Sequence, residues 1–304
     1  MKTIKYVRYQ KNRRSLASIE FLGLEVAKQV KTFHESIDNY QPTPLVELKN
    51  LAKELGVQSI FVKDESFRFG LNAFKALGGS YAIAKHLSSQ LEDAELSYPF
   101  LTSKEIKEKL GDITFVTATD GNHGRGIAWT AKKFGHKSVV YLPKGSSKER
   151  LDSIRAEGAE ASITEFNYDD TVRYAEEMAK RHGWVLIQDT AWEGYTEIPK
   201  WIMQGYITMA VEVYEQLGNI KPTHIILQAG VGSFASSILG FFVNVYGSER
   251  PVATIVEPNL ADCIFRTAAA NDGTLHKVKG DMNTIMAGLA CGEPNPIAWD
   301  IMKD

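Results

Sequence analysis

The sequence predicts an α/β protein of two domains, each with a mainly parallel sheet flanked by helices. Three observations carry this. Short β-branched runs alternate with helical stretches along most of the chain, the pattern left by parallel strands joined through helices. Many of the helical stretches stop at a glycine (Gly135, Gly158, Gly183, Gly218, Gly247), the residue that best ends a helix. And 304 residues, 44% of them hydrophobic, can fill more than one core and more than one sheet.

Taken in order, "SIFVKDE" (59–65) is the first predicted strand, β-branched and closed by charged residues. A helix over 73–87 follows, then a polar stretch from Leu91 to Lys109 that reads as a surface insertion. Strands at 113–119, 137–143, 160–166 and 184–190 alternate with helices at 124–135, 147–158 and 168–183, each helix having apolar residues at helical spacing. A helix over 206–218, a strand over 223–230, a helix over 233–247 and a strand over 252–258 complete the series. Near the end, Asn295 offers an N-cap and Pro296 the first helical position. That helix stops after a couple of turns, so a final C-terminal part of the fold is expected to be missing.

Composition narrows the function. A net charge of −2 gives no reason to expect nucleic acid or an anionic membrane as partner. The most apolar run, "ILGFFVNVY", is far short of the ~20 residues a spanning helix needs. The basic start leads into no apolar core, so it does not read as a secretory signal, and a cytoplasmic protein is expected. Cys263 and Cys291 stand outside any C-x-x-C pair or histidine spacing, so no metal site is expected. They are either two small buried thiols or a disulfide closing the 263–291 loop.

Four segments could carry chemistry, three of them where a strand ends in a polar, glycine-containing loop, the place where open parallel sheets collect ligands. "QAGVGSF" runs into Gly230-Val231-Gly232-Ser233 and then a helix; this is either a tight turn or a phosphate cradle of backbone N–H groups. "ATDGNHG" supplies Asp120, able to carry a proton, and Asn122, able to bond a ligand oxygen; an Asx turn capping a helix accounts for it equally well. Asp189 lies at a strand end before Trp192, either as a cap or as a carboxylate for a substrate ammonium. Lys75 sits in "NAFKALGG", a run of small and apolar residues. Its charge either reaches water along a buried stem or, partly buried, becomes a nucleophilic amine. One ligand uses all of these: pyridoxal 5′-phosphate, which brings an aldehyde, a phosphate and a ring hydroxyl.

"NAFK", "DGNHG" and "GVGS", in that order, resemble the fold-type II (tryptophan synthase β-like) pyridoxal-phosphate enzymes. The longer stretches "VKDESFRFGLNAFKALGGSYAIA", "TATDGNHGRGIAW", "QDTAWEGYTEIPKWIMQGY" and "TIMAGLACGEPNP" are similar to the diaminopropionate ammonia-lyase family within them, from Tyr40 onward. The resemblance implies a homodimer that eliminates both amino groups of D- or L-2,3-diaminopropionate, giving pyruvate and two ammonia. It implies Lys75 as the Schiff-base lysine, Asn122 as the ring-hydroxyl contact, and Gly230, Val231, Gly232 and Ser233 as phosphate ligands. Asp120 and Lys75 would be bases on opposite faces of the substrate, and Asp189 would orient its amino group with help from Tyr168 or Trp192. A larger domain of residues 1–84 and 190–304 and a smaller one of 85–189 would enclose the site, with both cysteines near its mouth. The family's later glycine-rich segment and its partner for the pyridine nitrogen have no match here. A serine or threonine dehydratase is the alternative enzyme; the pair Asp120 and Asp189 favours the diamine, whose second ammonium suits a second carboxylate. A cofactor-holding protein without activity is the alternative outside enzymes.

Overall fold

The computed structural model describes residues 4–9, 18–92, 95–119 and 121–303. Its first part is α1 (Leu24–Glu35), β1 (Leu45–Glu47), α2 (Lys49–Leu55), β2 (Phe61–Lys63) and α3 (Lys75–Ser89). β1 and β2 form a three-residue antiparallel pair, Leu45 opposite Lys63, so the first predicted strand joins no parallel sheet. The charged ends of its run leave only Phe61, Val62 and Lys63 in the ladder.

Next come α4 (Tyr98–Leu101), α5 (Lys104–Leu110), β3 (Thr114–Ala118), α6 (Asn122–Lys133), β4 (Lys137–Leu142), α7 (Lys148–Ala156), β5 (Glu160–Ile163), α8 (Tyr168–His182) and β6 (Val185–Leu186). The expected surface insertion at 91–109 is therefore two short helices capped by Ser97 and Ser103, with Leu101 and Ile106 buried beneath them. β3 to β6 make one parallel sheet in the order β5-β4-β3-β6. Alternation along its strands covers both faces. Val116, Ala118, Val139 and Tyr141 pack against Val172, Ala175 and Ala179 of α8. Val140 and Leu142 turn the other way, onto Ala128 of α6 and Ile154 of α7.

The strand predicted over 184–190 is regular for only two residues. Ile187 N–H still donates to Val116 O at 2.9 Å, but Ala118 N–H is taken by the side-chain oxygen of Gln188 at 3.1 Å, which ends the backbone ladder.

The last part is α9 (Glu197–Leu217), β7 (His224–Gln228), α10 (Ser233–Tyr246), β8 (Val252–Val256), α11 (Cys263–Ala270) and α12 (Pro296–Met302). α9 starts nine residues before the expected Tyr206, with Pro199 in its first turn, where the missing N–H costs no helical bond. β7 and β8 pair in parallel. Asn295 caps α12 through Ile297 N–H with Pro296 first in the helix, as the sequence predicts.

Helices α3, α9 and α10 form the centre. α3 is buried on nearly every side, as a helix apolar all round must be. It meets α9 at two glycines: a Cβ on Gly78 would lie 2.5 Å from a Tyr206 ring carbon, and one on Gly205 only 2.3 Å from Leu77 O. Beside this contact His34 of α1 meets Leu77 O at 3.0 Å through Nε2 and Thr208 Oγ1 at 2.6 Å through Nδ1, tying three helices together. Burial pushes its pKa down to about 3, so it stays neutral. Nearby, fully buried Arg68 donates to Glu212 through both terminal nitrogens, at 2.8 and 2.9 Å, and to Glu65. The Lys63 ammonium and the Tyr40 hydroxyl complete the donors around Glu212.

Candidate active site

Lys75 is the first residue of α3, and Phe74 before it packs between Tyr206 and Phe234, with ring centroids 5.2 and 4.7 Å away. That anchorage aims the lysine off the helix end into a cavity of ≈ 660 Å³, solvent at its mouth included. Lys75, His123, Tyr168, Asp189, Tyr206 and the loop from Gly230 to Ser233 line it, with Cys291 at one side.

Lys75 Nζ donates to Asp189 Oδ2 at 2.5 Å. Asp189 is buried. Burial works against its charge, but the Lys75 ammonium and then His123 overcome it and hold the carboxyl down at about 2. His123 Nε2 donates to Ile187 O at 2.8 Å, which leaves Nδ1 facing Asp189 Oδ2 from 3.9 Å. A carbonyl can only accept, so Nε2 carries a proton.

The glycine loop is tied to the same carboxylate residue. Ser233 Oγ donates to Asp189 O at 2.5 Å and accepts from Asn295 Nδ2 at 2.8 Å, while Asn295 N–H donates to Val231 O. Gly232 has φ +100°, a backbone a side chain rarely adopts, and its Cβ would meet Met302 Cε at 2.9 Å. The loop thus turns tightly and delivers backbone N–H groups and the N-terminus of fourteen-residue α10 to the cavity.

Of the residues singled out in the sequence, Lys75, Asp189, Tyr168, Gly230, Val231, Gly232 and Ser233 come together here. Asp120 lies outside the described residues. Asn122 starts α6 but is exposed and not part of the cavity lining, because Thr119 Oγ1 caps the turn and it is His123 that turns inward. Trp192 lies elsewhere: it stacks on Tyr195, centroids 4.3 Å apart, in a separate surface cavity with Glu176 and Trp184. Position along the chain put it near Asp189, but the Trp192–Tyr195 bridge turns it away. Cys263 and Cys291 are both buried and no disulfide joins them, and Cys291 does border the site. Tyr206, Asn295 and Gln188 were missed; each looked like an ordinary helical, capping or strand residue.

A buried carboxylate held against a lysine amine, opposite an anion-binding turn in a parallel α/β frame, defines an enzyme that works through a bound phosphate-bearing carbonyl compound. The family is explicit: the chain belongs to the pyridoxal-phosphate dependent enzymes, whose model matches residues 37–304. It is 54% identical to the diaminopropionate ammonia-lyase of Salmonella typhimurium over 98% of this chain and 76% of that one. A crystal structure of the Escherichia coli diaminopropionate ammonia lyase in complex with D-serine superposes with a TM-score of 0.87 at 49% identity, over 95% of this chain and 72% of that one. A catabolic L-threonine dehydratase of Staphylococcus aureus is 26% identical over 86% of this chain and 65% of its own length.

The residues present fit pyridoxal phosphate. The amine stands in the cavity, the Gly230–Ser233 turn borders it beside the N-terminus of α10, and the Tyr206 hydroxyl, buried on the cavity wall, has no hydrogen-bond partner among the described residues. Such an orphaned donor fits a polar ligand. Among the described residues no cluster of three or more His, Cys, Asp or Glu could hold a metal ion, and no helix is long and apolar enough to cross a membrane.

Proposed function

We propose that this chain catalyses the α,β-elimination of D- and L-2,3-diaminopropionate to pyruvate and two ammonia. The observation that carries the proposal is the buried Lys75–Asp189 contact beside the Gly230–Ser233 turn, in a chain more than half identical to an enzyme of that name. When bound, pyridoxal phosphate draws electrons from the α-carbon of a joined amino acid, which acidifies its proton and lets a β-substituent leave. Lys75 Nζ is the amine that would hold it, and the N–H groups of Gly230, Val231, Gly232 and Ser233 would hold its phosphate. Asn122 would reach the ring hydroxyl by turning its exposed side chain inward.

Asp189 stays ionised at neutral pH, so once Lys75 Nζ is engaged elsewhere its carboxylate is ready to receive a substrate ammonium. Tyr168 borders the same space and is the aromatic neighbour that acts there; Trp192 is not. Lys75 Nζ takes the α-proton from one enantiomer and Asp120 from the other. Proton transfer by a positioned group is typically worth ~10²–10⁴-fold. The β-amine must leave protonated, which favours a site rich in acids and ammonium groups. The enzyme works as a cytoplasmic homodimer. A sheet confined to residues 114–186 supports a smaller domain of 85–189 set against a larger one from 1–84 and 190–304.

The test is pyruvate release from D-diaminopropionate, L-diaminopropionate and serine, alongside borohydride reduction and peptide mapping. The proposal expects a pyridoxyl group on Lys75 and turnover of both diamine enantiomers above serine. Faster turnover of serine would make the chain a dehydratase, and an unlabelled Lys75 would end the reading.

A further inference from the structure

The segment Trp192-Glu193-Gly194-Tyr195 has no part in the Lys75 cavity, yet it is firmly built. Trp192 N–H donates to Tyr195 O at 3.2 Å and Tyr195 N–H to Trp192 O at 2.9 Å, closing a tight hairpin. The Tyr195 hydroxyl is tied inward, donating to Leu186 O and accepting from Gln188 N–H, both at 2.9 Å. Its ring is thereby held in place, and the Trp192 indole lies on it with the ring planes 19° apart. These two rings border a surface cavity of ≈ 1000 Å³, open water at its mouth included. Trp184 lines it as well. His182 covers one face of that indole, centroids 4.5 Å apart, and does not line the cavity, so the cavity meets the ring's uncovered side. Charge around the cavity is uneven. Two carboxylates, Glu176 and Glu193, stand against one ammonium, Lys180, which donates to Glu176 at 2.7 Å and is three-quarters exposed. Glu193 makes no hydrogen bond or ion pair among the described residues, so one negative charge is unbalanced.

We propose that this cavity is a binding site for an organic ammonium ion, held between its aromatic rings and the Glu193 carboxylate and separate from the Lys75 site. A cation is drawn to the negative face of an aromatic ring, most strongly to an indole, and two indoles are present. The unbalanced carboxylate adds its own attraction. An anion would be repelled by it, and a neutral apolar guest would strip water from it without return. Rings fixed before binding also lose little freedom when a guest arrives, which favours a small ligand with few contacts. The assignment is independent of the reaction carried by the Lys75 cavity.

The experiment titrates choline and dimethylbutanol, in which carbon replaces the charged nitrogen, into the holoenzyme by calorimetry. The two probes have nearly the same shape, so their affinity ratio isolates the charge. The proteins are wild type, Trp192→Leu, Glu193→Gln and Asp189→Asn. The wild type is expected to bind choline about fivefold more tightly than dimethylbutanol, the scale of a cation–ring contact at a partly exposed site. Trp192→Leu and Glu193→Gln should each lose most of that preference. Asp189→Asn, which alters the Lys75 cavity instead, should keep it. Equal binding of the two probes to the wild type would make this a plain apolar groove and overturn the proposal. So would absence of choline binding, or a preference that Asp189→Asn abolishes, since the probe would then sit beside Lys75. If Trp192→Leu does not fold, Glu193→Gln at its exposed position still decides, because an unchanged preference there overturns the proposal.

Discussion

Replacing Lys75 by methionine keeps most of the side chain's apolar stem and removes its charge. At 2.5 Å from Nζ, the Asp189 carboxyl is held at about 2 against an ordinary 3.8, in the face of burial that pushes the other way. At ~1.4 kcal/mol per pKa unit, the difference is on the order of 2 kcal/mol. Removing one partner of a buried pair typically costs more, about 3–5 kcal/mol, because the remaining charge has lost its compensation. We therefore expect the cofactor-free variant to lose about 3 kcal/mol at pH 7.

The pH dependence follows from the same group. In the wild type Asp189 is depressed, so its stabilisation is complete above pH 3.8 and lost only as pH falls toward 2. In Lys75→Met the buried carboxyl shifts above its ordinary value, so the variant is penalised at pH 7 and recovers as pH falls and the group is protonated. Urea unfolding at pH 7, 5.5 and 4.5 should show the gap between the two proteins closing with acid. Lys75→Met/Asp189→Asn should regain most of the loss at pH 7. Single and double variants of equal stability, with a gap independent of pH, would refute the reasoning.

Arg68→Met should cost about 3–5 kcal/mol, since it leaves Glu212 charged in the core, and adding Glu212→Gln should restore part of it; denaturant midpoints check this. Tyr206→Phe should raise the stability of the cofactor-free protein by about 1 kcal/mol, by removing a buried hydroxyl that has no partner among the described residues, and at the same time weaken pyridoxal phosphate retention in equilibrium dialysis. Tighter retention in that variant would exclude the hydroxyl from the site.

Lys75 and the Gly230 loop were each ambiguous alone, a stem reaching water or a tight turn serving as well, and it was the order of "NAFK", "DGNHG" and "GVGS" along the chain that singled them out together. Alternation and glycine stops foretold the four-stranded sheet closely. Other features were hidden for physical reasons. Trp192 sits three residues after Asp189, but spacing along an irregular segment does not say which way a side chain points. Tyr206 reads as one more apolar position of a long helix, and only the approach of α3 through Gly78 puts its ring against the cavity. The strand predicted over 184–190 is cut short by a side chain mimicking a backbone acceptor, which no periodicity reveals. Asp120, prominent in the sequence, lies outside the described residues.

Asn295, Ser233 and Asp189 are joined in series by two short polar contacts. The serine thus belongs at once to the anion turn, to the segment before α12 and to the residue facing Lys75. An anion settling on that turn would draw on the same hydroxyl that braces the carboxylate's main chain, so occupancy at one end of the cavity is felt as stiffness at the other. Disturbance of α12, whose Ala298 and Met302 pack against this turn, would then register first as altered chemistry at the lysine, well before any loss of global shape.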